Sequence, residues 1–297
     1  MKNIFRRKKN TSKKDYGHVF VLAGSAGFTG AAYLTAQAAL LSGSGLVTLG
    51  IPESLNVILA KKLTEVMTKP LPETKAQALS VKAFLEIKKF CKKMNALAIG
   101  PGLSKNKETQ NLVRKIVRTI KLPMVIDADA LNALTEHLNI LLATSAVGGS
   151  AFGGGNWESG TVLTPHEGEM ARLIGESTKY IQANRKKVAK AFAKKYNVVL
   201  VLKGSRTIVA NSQGSIYINR TGNPGMATGG TGDVLTGIIA SFIGQGLSLY
   251  EAAKLGVYVH GLAGDIVAKE KGQLSLTATD LLKALPEVLK KKVPRPA

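Results

Sequence analysis

The chain has 297 residues, 45% of them hydrophobic and 20% charged, which excludes a disordered chain and allows one large domain or two small ones. Its formal net charge is +22, and Lys2, Arg6, Arg7, Lys8, Lys9, Lys13 and Lys14 crowd the first fourteen residues, so anionic partners suit it. The single cysteine, Cys91, rules out an internal disulfide and a cysteine zinc cluster. No apolar run approaches the roughly 18 residues of a membrane span and no secretory leader is readable, so a cytoplasmic protein is expected.

In chain order, residues 1–14 read as a basic disordered arm, 15–290 as a single domain and 291–297 as a basic tail. His18–Ala23 is a short apolar run with the look of a buried strand. Gly24–Gly30 follows as a turn-rich loop and Ala31–Ser42 as an alanine-rich helix. Leu46–Ile51 predicts a strand, Glu53–Leu63 a helix, and Lys75–Lys93 a long amphipathic segment leading into the strand Ala96–Ile99 and the turn Gly100-Pro101-Gly102. Lys107–Ile120 has helical spacing, Met124–Ile126 reads as a strand, and Asp127–Leu134 opens a loop or helix. Thr161–Leu163, Val198–Leu202 and Thr207–Ala210 predict strands, the last two as a hairpin around Gly204. Helices are expected at Glu167–Gly175, Thr178–Tyr196, Thr231–Ile243, Leu249–Lys269 and Ala278–Leu289. Such alternation specifies an α/β fold with a mainly parallel central sheet flanked by helices on both faces. The glycine- and serine-rich stretch Ala143–Gly160 interrupts the pattern and reads as a loop, because the alternation resumes after it.

Chemistry concentrates in Asn223–Gly237, NPGMATGGTGDVLTG. Gly225, Gly229, Gly230 and Gly232 precede a helix, so ligand and backbone can approach closely and the free N–H groups of the helix start form an anion site. A carboxylate at that mouth, Asp233, repels a phosphate, which makes sense if it removes a proton from an attacking hydroxyl; the bland alternative is a first-turn acid that stabilises the helix. The loop is not a Walker motif, since no Gly-Lys-Ser/Thr follows. The glycine spacing of GSAGFTG likewise departs from the dinucleotide fingerprint. Asp127 and Asp129 admit two readings, as metal-associated carboxylates or as caps of the following helix. Asn223 and Thr228 are placed to orient the anion loop, while His18, His137 and His260 receive no catalytic role.

The run GNPGMATGGTGDVLTG, together with YGHVFVLAGSAGFTGAA from Tyr16, AIGPGL from Ala98, VIDADALN from Val125, LTPHEGEM from Leu163 and VLKGSRT from Val201, resembles the NAD(P)H-hydrate dehydratases of the ribokinase-like fold, over residues 13–290. The resemblance is to the stand-alone dehydratase, without an epimerase domain. It implies repair of the S-hydrates of NADH and NADPH, with ADP (or ATP) as phosphoryl donor, Mg²⁺ as the accompanying ion, and a homo-oligomer, a tetramer by family habit. Residue by residue it implies Asp233 as the base and a contact to the hydrated dinucleotide, and Lys203, Gly204, Ser205, Arg206 and Thr207 at the nucleotide. It places Gly230, Thr231 and Gly232 at the moving phosphoryl group, and Ala31, Gly102 and His166 against the hydrated dinucleotide. No metal ligand is assigned. Two other readings compete. One is a small-molecule kinase on the same fold, of the hydroxymethylpyrimidine or thiazole type. The other is a non-enzymatic nucleic-acid binder using the basic arm, which the 5% aromatic content disfavours for base stacking.

Overall fold

The computed structural model describes residues 4–7, 9–145 and 160–290. Most of the expected glycine-rich loop (146–159) and the tail 291–297 lie outside the described residues. The strands are β1 (His18–Leu22), β2 (Leu46–Pro52), β3 (Met67–Leu71), β4 (Ala96–Ile99), β5 (Met124–Ile126), β6 (Thr161–Leu163), β7 (Val199–Leu202), β8 (Ile208–Ala210) and β9 (Ile216–Ile218). Among the described residues they form one sheet in the order β3-β2-β1-β4-β5-β6-β7-β8-β9. All pairings from β3 to β7 are parallel, and β8 and β9 close the sheet antiparallel.

The helices are α1 (Thr29–Leu41), α2 (Asn56–Lys62), α3 (Phe84–Cys91), α4 (Lys107–Thr119), α5 (Ala128–Leu134), α6 (Asn139–Ser145), α7 (Glu167–Ile174), α8 (Thr178–Ala183), α9 (Arg185–Tyr196), α10 (Thr231–Gly244), α11 (Leu249–Lys271) and α12 (Ala278–Lys290). Strand side chains alternate between two cores with the period of two that a pleat requires. Val19, Val21, Ala96 and Ala98 face the core shared with α1, α10, α11 and α12. Phe20, Leu22, Leu97 and Ile99 face the core shared with α3, α4, α5, α7 and α9. The alanines on the first face are small, so α1 and α10 come close to the sheet and to each other. A side chain at Gly237 would place its Cβ 2.2 Å from the Thr35 carbonyl oxygen and 2.8 Å from Ala38.

Several elements differ from the sequence reading. β3 escapes it because Lys69-Pro70 breaks the apolar run; proline is tolerated there because β3 is an edge strand. β9 is a three-residue edge strand too short to leave a pattern, and α6 was also unforeseen. The amphipathic segment Lys75–Lys93 is helical only from residue 81, beginning with a 3-10 turn. Its first part is loop, with Gln77 at φ +51° accepting a hydrogen bond from Ala26 N. The expected helix Thr178–Tyr196 splits at Asn184, which leaves helical geometry at φ −123°. Of the basic arm, Ile4 packs on the first core, and Arg7 sits 4.4 Å over the Tyr16 ring and donates to the Gly43 carbonyl.

β1 has β2 on one side and β4 on the other, so the chain reverses its direction of travel across the sheet between these two strands. At such a switch point the loops leaving the strands part and open a crevice at their carboxyl ends. The loops after β1, β4, β5, β6 and β7 are those carrying the sequence motifs. Replacing Gly237 by alanine is expected to force α1 and α10 apart and lower stability by about 1–3 kcal/mol, the usual cost of overpacking. Thermal melting of the purified variant checks it; an unchanged melting temperature would refute the close contact.

Candidate active site

The crevice is built from tied loops. Gly24 N donates to the Pro101 carbonyl at 2.8 Å, and Ser25 Oγ to the Gly102 carbonyl at 2.8 Å, so the loops after β1 and β4 hold each other. Gly100 must be glycine, because at φ +131° a Cβ would lie 1.8 Å from the Asp127 carbonyl oxygen. Gly102 lies at φ +62°, and its Cβ would fall 2.7 Å from Phe28 Cβ and 3.0 Å from Ala31 Cβ. Ala31 and Gly102 therefore form one small-residue wall.

Asp127 ends β5 and sits at the N-cap of α5, but its side chain makes no capping bond. It turns inward instead, and only 1% of the residue is exposed. Oδ1 accepts from Lys203 Nζ at 2.7 Å and Oδ2 from Thr236 Oγ1 at 2.8 Å. Of the two readings left open for Asp127, capping is thereby removed. Asp129 accepts from Ser104 N and from Asn132 Nδ2, a structural role. Lys203 leaves the end of β7 and crosses the end of β6 to reach Asp127, with Glu169 Oε2 also 3.8 Å from its ammonium. Burial opposes its charge, but the carboxylates of Asp127 and Glu169 outweigh that and raise its pKa.

Asp233 occupies the third position of α10, facing this cluster. Its pKa is raised to about 7, first by burial and then by the charge of Asp127, with Lys203 pulling the other way. No described residue donates a hydrogen bond to its carboxylate, which leaves it free to take a proton. Directly before it, Gly230 caps the helix at φ +90°, and a Cβ there would meet Leu34 Cδ1 at 2.5 Å. In front of Gly229 there is open space, and the N–H groups of the first turn point that way with no intrahelical acceptor. A turn of this form can hold an anion.

The anion loop is braced from behind by residues that sequence reasoning passed over. His260 Nε2 lies 2.8 Å from the Thr231 carbonyl. Burial lowers the His260 pKa to about 4, so the ring is neutral and donates that bond from Nε2. Asp265, also on α11, receives Gly222 N at 2.9 Å and Asn223 Nδ2 at 3.0 Å, so Asn223 orients the loop entrance. Five positions apart on α11, the two meet different parts of the loop, His260 at the helix start and Asp265 at the entrance, an arrangement that only the fold brings about. A lone histidine in an apolar helix gives no such signal.

On the other side, the turn after β7 carries Gly204 at φ +144° and Arg206 at φ +56°, and Thr207 Oγ1 donates to the Gly204 carbonyl. Arg185 donates to the carbonyls of Ser205 and Leu202, which fixes the turn, while Ser205 and Arg206 remain exposed at the surface. His166 caps α7: its Nδ1 accepts from Gly168 N at 3.0 Å and Glu169 N at 3.2 Å. Nδ1 must then be unprotonated, and burial lowers the ring's pKa, so the proton rests on Nε2, which lies 3.6 Å from Glu169 Oε1. The cap engages Nδ1 alone.

Among the described residues no group of three or more histidine, cysteine or acidic side chains is arranged to hold a metal. Both oxygens of Asp127 are engaged, and Glu169 accepts from His166 N. The protein by itself thus offers no closed metal cage, and the residues fit an ion carried mainly by nucleotide phosphates, the usual habit of magnesium. Elsewhere, a cavity of about 360 Å³ lies at the amino ends of the strands, between Lys14, Cys91, Asn95, Ile120 and Gly244. It is remote from this chemistry. Among the described residues no helix is long and apolar enough to cross a membrane.

The fold and the glycine-rich helix start with its adjacent carboxylate define a ribokinase-like protein, and solved structures agree. A ribokinase-like superfamily protein of Enterococcus faecalis matches with a TM-score of 0.78 at 28% identity, covering 98% of this chain and 95% of that one. The chain belongs to the NAD(P)H-hydrate dehydratase family, whose model matches residues 19–287. Similar relatives are the bifunctional NAD(P)H-hydrate repair enzymes Nnr of Moorella thermoacetica, 47% identical over 96% of this chain, and of Escherichia coli, 35% identical over 97%. The chain spans about half the length of these relatives, 51% and 50%. An ADP/ATP-dependent NAD(P)H-hydrate dehydratase of Bacillus subtilis, co-crystallised with ATP/Mg²⁺, matches with a TM-score of 0.77 at 30% identity, over 96% of this chain and 93% of that one. A hydroxyethylthiazole kinase of Pyrococcus horikoshii shares only the fold, at 14% identity and a TM-score of 0.60.

The elevated pKa of Asp233 has a consequence for stability. Its folded value, about 7, exceeds the ordinary 3.8, so the folded state is penalised once the carboxylate must ionise. Asp233→Asn is therefore expected to melt higher than the parent at pH 8, with the difference shrinking as pH falls from 7 toward 4. Melting curves across that range check it, and a pH-independent difference would contradict the burial of the carboxylate.

Proposed function

We propose that the chain repairs the S-hydrates of NADH and NADPH, using ADP as phosphoryl donor and Asp233 as base. The observation that carries this reading is the placement of a proton-accepting carboxylate, poised near pH 7, beside unpaired helix N–H groups and an ammonium held by Asp127. The Ala31–Gly102 wall joins α1 to the loop after β4, while the Lys203–Thr207 turn follows β7 and is tied to the His166 segment by the bond from Lys203 N to the Pro165 carbonyl. Lys203, Gly204, Ser205, Arg206 and Thr207 would hold the nucleotide, and Ala31, Gly102 and His166 the hydrated dinucleotide. The activities of the relatives, NAD(P)H-hydrate repair and ADP/ATP-dependent dehydration, support the same assignment.

The chemistry follows from the leaving group. Hydroxide leaves the C6 carbon of the hydrated ring poorly, and phosphate leaves it well. Asp233 takes the proton of the C6 hydroxyl, whose oxygen attacks the β-phosphorus of ADP while the bond to the bridging oxygen breaks and AMP departs. The N–H groups of Gly230, Thr231 and Gly232, with Lys203, balance charge on the moving phosphoryl group. The ring nitrogen's lone pair then expels phosphate from C6, and loss of a proton from C5 restores the dihydropyridine. The sum is hydrate plus ADP giving NAD(P)H, AMP, phosphate and a proton. Magnesium, when bound with the nucleotide, supplies charge neutralisation on its phosphates. The protein would work in the cytoplasm as a homo-oligomer.

The test incubates the protein with hydrated NADH and each donor in turn, following the absorbance of restored dihydropyridine. Recovery with ADP is expected; no recovery with ADP or ATP, while hydroxymethylpyrimidine or hydroxyethylthiazole is phosphorylated, would replace this reading with the kinase. In the repair assay Asp233→Asn should lose roughly 10²–10⁴-fold in turnover, the range for a general base. The acid limb of the parent's rate profile should rise through about pH 7, because only the deprotonated carboxylate can accept the proton. A flat profile between pH 5 and 8 would remove Asp233 from that role.

A further inference from the structure

We propose that Thr236 is a positioning residue for phosphoryl transfer, acting through Asp127 to hold the Lys203 ammonium against the anion loop. The inference rests on the function proposed above for the site but not on the identity of the phosphoryl acceptor. Thr236 follows Asp233 by three residues on α10, so the two share a face of the helix, with Thr236 nearly a turn deeper. It is fully buried. A buried threonine inside a helix ordinarily returns its hydroxyl to a carbonyl of the preceding turn. Here the hydroxyl leaves its own helix and donates to Asp127 Oδ2 at 2.8 Å.

Geometry shows what that bond decides. Lys203 is a long, flexible side chain with two carboxylates to choose between, Asp127 at 2.7 Å and Glu169 at 3.8 Å. Glu169 is committed to the cap of α7, through His166 N at 2.8 Å. With Asp127 locked by Thr236, the ammonium is drawn to the α10 side. There, a Cβ built on Gly232 would lie 3.3 Å from Lys203 Nζ and 3.8 Å from Asp127 Oδ2. Those distances put the ammonium beside the N–H groups that receive the phosphoryl group. Released from Thr236, Asp127 would be free to rotate, and Lys203 to swing toward Glu169 and away from the anion. Thr236 thus couples the helix that carries the base to the lysine that carries the counter-charge.

Three variants of the full chain test this: Thr236→Ser keeps the donor, Thr236→Val keeps the shape without it, and Thr236→Ala leaves room for a water beside Asp127. ADP affinity is read by calorimetry, and kcat and KM in the repair assay. The serine variant is expected to match the parent. Valine and alanine should each lose on the order of 10-fold in ADP affinity and kcat, below the roughly 10²-fold that an ångström of misplacement can cost, with KM for hydrated NADH unchanged. Parent-like values for both valine and alanine overturn the proposal, as does a serine variant as poor as valine. If valine and alanine both fail to fold, the hydroxyl serves stability and the proposal also falls. ADP binding needs no hydrated substrate, so a parent without repair activity but with Thr236-dependent ADP binding would sink the proposed function and leave this inference standing.

Discussion

Lys203 and Asp127 form an ion pair at the floor of the crevice, joining the ends of two strands that are not neighbours in the sheet. Taking two charges out of water is costly, and removing one partner of such a pair typically costs about 3–5 kcal/mol because the other is stranded. The pair is satisfied here because Thr236 fills the remaining oxygen of Asp127 and Glu169 stands behind the ammonium. That neutralised floor permits a further carboxylate, Asp233, to sit beside it with its proton affinity raised into the physiological range. Without Lys203 the site would gather Asp127, Glu169 and Asp233 with nothing to balance them, and a phosphorylated ligand would be repelled.

The same elements separate two tasks that one charged loop could not perform together. In the proposed reaction phosphate is attracted by the helix start and Lys203, while the proton is drawn by Asp233, one residue further along. His260 and Asp265 stiffen the loop from the opposite side, with His260 neutral and therefore adding no competing charge. Bracing from neutral or already paired groups keeps the local field determined by Lys203 and the backbone.

How much of this was readable from the sequence depends on range. The parallel α/β layout followed from apolar runs alternating with helical spacing, and the anion loop from glycines before a helix, both local signals. β3 was hidden by Pro70, α6 by its length of seven residues, and the break at Asn184 by the continuous helical pattern on either side. The side-chain direction of Asp127 was beyond reach, since an aspartate at a β5-to-α5 junction reads locally either as a cap or as a metal-associated carboxylate. What turns it inward is Lys203, 76 residues later, and Thr236, 109 residues later. His166 shows another limit: its cap of α7 through Nδ1 is not announced by a histidine in the sequence.

Helix α1 touches both halves of the crevice, with Ala31 against Gly102 on one side and Leu34 against Gly230 on the other. The bare backbone of Gly237 seats this same helix on α10. Under the proposed assignment the two ligand walls are thus mounted on a single strut, and the gap between donor and acceptor is set by a rigid helix rather than by adjustable loops. A protein built this way can vary which molecule it seats by changing loop side chains, but not how far a phosphoryl group must travel.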